Sequence, residues 1–143
     1  MGKSNTASNS ILNLLFNATT WANVAQNATS GPITNLYVAL HTANPGASGT
    51  QSTNEAAYTG YARVAVVRTS SGWTVSSAQS TSPVANIQFG ICTAGTETET
   101  YASIGTLSSG AGTILYSGPI TPSIAVAIGV TPILTTATTV TES

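Results

Sequence analysis

The chain has 143 residues, of which three are Lys or Arg, four are Asp or Glu and one is His, for a net charge of −1. Charged residues make up 5% of it, against about 25% in an ordinary soluble domain, and Lys3, Arg63 and Arg68 cannot supply the basic footprint that nucleic acid or an anionic membrane surface requires. The same poverty leaves little for a catalytic centre, and a charge near zero favours association, because nothing repels a second copy.

At this length residues 1–143 read as a single domain, able to bury about 70% of the surface of the unfolded chain. Mean hydropathy is +0.20, but no run approaches the roughly 18 apolar residues of a membrane span. Lys3 is not followed by an apolar stretch of the kind a secretory signal carries, so none is expected.

Residues 1–7 are small and polar and read as a flexible arm. Residues 8–26 carry the one helical signal: Ile11, Leu14, Leu15, Ala18, Trp21, Ala22 and Ala25 follow the spacing of an amphipathic helix. Ser8 or Ser10 would cap its start, and the run from Asn27 to Pro32 ends it. From residue 33 the period changes to two. Leu36, Val38 and Leu40 alternate with Tyr37, Ala39 and His41, and Pro45 and Gly46 then open a long loop, 42–60. Further strands are predicted at 61–69, 73–75, 84–91, 101–107, 113–117, 124–130 and 137–141, each bounded by Gly, Pro or Ser. Residues 33–143 are thus expected to form a mainly β domain, a β-sandwich or barrel, with one N-terminal helix before it.

Candidate sites are few. His41 has no second His, no Cys pair and no G-x-S-x-G elbow to work with, so its predicted role is structural, and no catalytic residue is assigned. Cys92, the lone cysteine, reads as a small buried hydrophobe. Glu97 and Glu99 fall in a segment that reads as an exposed loop or hairpin tip. Two carboxylates there are too few for a calcium loop, so neither metal nor cofactor is expected. Arg63 and Arg68 stand an odd number of residues apart on one predicted strand, so at most one can point inwards. Glu55 and Arg63 are expected to form a structural ion pair that pins the long loop. Leu14, Leu15 and Trp21 on the helix, with Tyr58, Tyr61 and Trp73 around the loop and hairpin, are candidate interface residues, though aromatic groups fill cores as readily.

The segments LYVALHTANPG at 36–46 and TNEAAYTGYARVAV at 53–66, with the Gly72–Trp73 pair, resemble a group of small tailed-phage virion proteins. ILYSGPIT at 114–121, GVTP at 129–132 and the leading helix also look like that group. Its members are often labelled tail-fibre proteins, and similar proteins include capsid cement or decoration proteins with a jelly-roll-like sandwich. The resemblance implies a non-catalytic structural role in the virion. Together with the charge-poor composition, it leads to the expectation of a capsid cement protein made in the host cytoplasm and bound to the capsid surface. Its expected partners are the major capsid protein and itself, as a dimer or trimer. A tail or tail-fibre component, or a receptor- or carbohydrate-binding module, is the alternative.

Overall fold

The computed structural model describes residues 3–142. Its elements run α1 (Asn5–Asn17), β1 (Asn35–His41), β2 (Val64–Val67), β3 (Trp73–Ser76), β4 (Ser80–Pro83), β5 (Ile87–Gln88), β6 (Glu97–Gly105), β7 (Ile114–Val126), β8 (Ile133–Leu134) and β9 (Val140–Thr141). Strands take 39% of the chain and helix 9%, so the fold is mainly β with one helix, as the change of period at residue 33 predicts. The sheets are antiparallel and consistent with a β-sandwich. A jelly roll is an eight-stranded double sheet; the described residues hold a four-stranded, a three-stranded and a two-stranded sheet. No helix among them is long and apolar enough to cross a membrane.

The chain divides into two compact units. One comprises the residues up to Asn35, Val66–Asn86 and the segment from Thr135; the other comprises Leu36–Ala65 and Ile87–Leu134.

In the first unit, α1 begins at Ser4, whose Oγ accepts from the Ala7 N–H at 3.2 Å. It ends at Ala18, which turns left-handed (φ 52°), and the N–H groups of Ala18 and Thr19 both return to the Asn13 carbonyl. The expected helix at 8–26 is therefore corrected. Residues 5–7 belong to the helix rather than to an arm, and residues 1 and 2 lie outside the described part. Beyond Asn17, two β-branched threonines give poor continuation, and the chain folds into a tight turn that bridges Trp21 to Ala25. The buried stripe is also different: Ser8, Leu12 and Phe16, four residues apart, face inwards. Phe16 meets Trp73 of β3 edge-on, with ring centroids 4.9 Å apart and planes at 70°. β3 pairs with β4, and β4 with β9, in a small antiparallel sheet.

Arg68 secures this unit. Its guanidinium donates to the carbonyls of Leu14 and Leu15 (2.6 Å each) and to Asn27 Oδ1 (2.7 Å). The last carbonyls of a helix lack partners within it and carry partial negative charge. α1 has no basic residue in its own last turn, so Arg68 supplies the cation from elsewhere. Lys3 and Glu142 form an ion pair in the same unit.

The four-stranded sheet, to which the second unit contributes β6, β7, nearly all of β1 and the start of β2, has the order β2-β1-β6-β7. β1 lies between two neighbours, and Ala39 and His41 are buried as fully as Leu36, Val38 and Leu40. The regular alternation expected there gives way to burial on both faces. The predicted strands 113–117 and 124–130 are one long edge strand, β7, whose register against β6 shifts between Glu99 and Tyr101. Pro119 and Pro122 are tolerated in β7 because an edge strand leaves one side of its ladder unpaired.

Candidate functional site: the loop between residues 42 and 60

The long loop closes on itself at its base. The Thr42 N–H donates to the Asn54 carbonyl and the Ala56 N–H to the Leu40 carbonyl, both at 2.9 Å, and His41 is bridged to Glu55. Gly46 turns the chain at φ 74°, a conformation that favours glycine, and its N–H is taken by Asn44 Oδ1 at 2.8 Å.

Arg63 holds the middle of the loop. Its Nε donates to Glu55 Oε1 at 2.6 Å and its Nη2 to Glu55 Oε2 at 2.8 Å, a bidentate fork. The remaining donors reach the carbonyls of Leu107 (2.9 Å) and Gly110 (2.7 Å). The side chains of the pair are 2% and 18% exposed. Breaking one partner of a buried pair costs about 3–5 kcal/mol, against about 0–1 for an exposed one. Hydrogen bonding to Glu55 raises the guanidinium further above its ordinary value. Tyr61 completes the cluster: its O–H donates to Glu55 Oε1 at 2.9 Å and its oxygen accepts from the Leu40 N–H at 3.1 Å. Burial drives that phenol well above its ordinary pKa.

Gln51 is the member that sequence reasoning missed. It is fully buried. Its Nε2 donates to the Tyr37 carbonyl (3.0 Å), its Oε1 accepts from the Leu107 N–H (3.1 Å), and its own N–H donates to the Gly112 carbonyl (2.9 Å). A Gln among Ser, Thr and Gly in a loop carries no pattern that would mark it as buried.

His41 is wholly buried, with Ser103 Oγ 2.7 Å from Nε2 and the Thr53 carbonyl 2.8 Å from Nδ1. Nδ1–H therefore donates to Thr53, and Nε2 accepts from the hydroxyl. Burial lowers the imidazole pKa, so the ring is neutral. The arrangement has the distances of a nucleophile and its base. Ser103 is 1% exposed, however, and a carbonyl stands where a triad would place a carboxylate.

Two expectations about charged residues are corrected. Glu97 and Glu99 do not form a solvated tip. They open β6, where Glu97 Oε1 accepts from the N–H groups of Ala57 and Tyr58 (2.9 Å each) and Glu99 is wholly buried. Arg63 and Arg68 are both buried, at 9% and 8% exposure. Alternation does not restrain them, because β2 spans only Val64–Val67 and each arginine lies just past one of its ends.

The model of the family described as Podophage GP4 fiber I protein gp80 matches residues 2–141. The chain belongs to that family. It is a structural protein of the tailed-phage virion, and the label its family carries is that of a fibre. No curated protein matches the chain.

In this gp80-family chain the remaining candidates separate by burial. Trp73 and Tyr58 are buried within the chain, Tyr58 donating to the Gly90 carbonyl at 2.9 Å. Tyr61 stacks on Phe89 at 6.2 Å and is half-buried, as are Leu14, Leu15 and Trp21. Cys92 is buried with its thiol directed at the carbonyls of Ala94 and Gly95. Among the described residues no three His, Cys, Asp or Glu side chains stand close enough to hold a metal ion. The arrangement is suited to holding a polar loop in one shape.

Proposed function

We propose that the chain is a non-catalytic fibre subunit of a phage virion that associates with copies of itself, as a dimer or trimer, and presents the clamped 42–60 loop as a fixed polar surface. The observation that carries this reading is the family match over residues 2–141, whose description names a fibre. The fibre alternative fits that description at least as well as the capsid cement expected from the resemblance and the charge-poor composition, and we take it first. The clamp supports it as well. A loop tied down by Arg63, Gln51 and Glu97 has little entropy left to lose on docking. Its outward residues, among them Thr42, Asn44, Ser48 and Ser52, offer hydroxyls and amides suited to a wet, hydrogen-bonded interface. Nucleic acid is a poor partner, since Arg63 and Arg68 are buried and Lys3 is paired with Glu142.

A cryo-EM map of the particle tests the reading. Density for this chain in a tail fibre is expected. Density on the capsid faces would reject the fibre role in favour of cement, and saturable glycan binding by the isolated chain would promote a receptor-binding module.

A further inference from the structure

We propose that Glu99 is a proton-operated latch: protonated and neutral, it lets β6 hold residues 57 and 58 of the long loop through Glu97, and loss of its proton releases them. Glu99 is fully buried, and no donor among the described residues reaches either of its carboxyl oxygens. An ionised carboxylate in such a place is strongly disfavoured. The polar group that faces it is the carboxyl of Glu97, two residues along the same strand. Glu97 is itself engaged, since its Oε1 takes the N–H groups of both Ala57 and Tyr58. A proton on Glu99 turns the contact between two carboxyls into an O–H···O bond. Removing that proton puts a buried negative charge beside the half-buried Glu97 carboxyl, and the group that can move away is Glu97, together with the loop it holds.

Among the described residues no cation acts on Glu99. From the loop comes the Tyr58 phenol, pushed up to about 12 by burial first and then by Glu99, Cys92 and Glu97. The Cys92 thiol is the other titratable group at this end. The paired residues of β7, Ile124 and Val126, carry none. Burial and Glu97 together push Glu99 from the ordinary 4.5 up to about 8. Between those values the folded chain keeps a proton that the unfolded chain has lost. Stability therefore falls as pH rises through that window, and the unfolding constant grows by about tenfold per pH unit.

The test is an infrared titration of the full chain from about pH 5 to about pH 9, spanning the Glu99 window. It is combined with amide exchange at Ala57 and Tyr58 and repeated on Glu99→Gln and Glu97→Gln. The wild type should show a protonated-carboxyl band that bleaches with a midpoint near 8, and the band should be missing in Glu99→Gln. Protection of the two amides should collapse through the same midpoint in the wild type and persist in Glu99→Gln at equal pH. Glu97→Gln keeps an oxygen acceptor but removes the facing charge, so its midpoint should move down towards the ordinary carboxyl value. This arm decides the matter if Glu99→Gln fails to fold. A Glu99 already ionised at pH 6, or amide protection that falls equally in both chains, would overturn the proposal.

Discussion

Gln51 occupies the volume that a side chain at position 112 would need: a Cβ on Gly112 would lie 2.2 Å from Gln51 Oε1. Position 105 is closed in the same way, with Gln51 Cδ at 2.3 Å and the Thr113 carbonyl oxygen at 2.6 Å. Gln51 cannot step aside, because its amide is hydrogen-bonded to Tyr37 and Leu107. Gly112→Ala should therefore destabilise the chain by about 1–3 kcal/mol, the usual penalty for overpacking. Urea unfolding measures it. In a Gln51→Ala background the penalty should shrink, giving a coupling of about 0.5–3 kcal/mol. Equal penalties in the two backgrounds would mean that Gln51 is not the obstacle.

The fork between Arg63 and Glu55 makes a second prediction. Arg63→Ala leaves the half-buried Glu55 carboxylate without its fork and should cost about 1–3 kcal/mol in unfolding experiments, between the values for exposed and fully buried pairs. Arg63→Lys should recover only part of it, since an ammonium cannot reach Glu55, Leu107 and Gly110 from one planar group. Full recovery with Lys would show that charge alone, rather than the fork, holds the loop.

On the helix, Phe16→Ala should cost about 3–5 kcal/mol by emptying the contact with Trp73. Leu15→Ala, at a half-buried position, should cost clearly less. If Leu14, Leu15 or Trp21 serves an interface between copies, its replacement by Ser should lower the oligomer mass in light scattering while thermal unfolding stays near that of the wild type.

His41 is expected to contribute to the acid side of the stability profile. Burial holds its folded pKa below the 6.5 of an unfolded histidine. The unfolded chain therefore takes up a proton first, and stability is lost as pH falls below 6.5. His41→Gln keeps a donor for the Thr53 carbonyl and an acceptor for Ser103. It should reduce the acid slope by about one proton in a pH series of unfolding midpoints. An unchanged slope would assign the acid sensitivity to another group.

Period and punctuation in the sequence located the single helix, strand β1, the β3 turn region and the dominance of strands. The Glu55–Arg63 pair was legible as well, because a carboxylate in a loop and an arginine just after it have few other partners in a chain with seven charges. The rest depended on contacts between residues far apart in the chain. The helix turns Phe16 inwards because Trp73, on a distant strand, provides a surface to bury it against, and helical spacing alone cannot say which face is covered. Arg63 and Arg68 are both buried because the strand between them is shorter than its alternating pattern suggests. Glu99 and Gln51 look like surface residues by type. Their burial follows from β6 running beneath the loop in the second unit, a pairing of distant segments that no local pattern encodes.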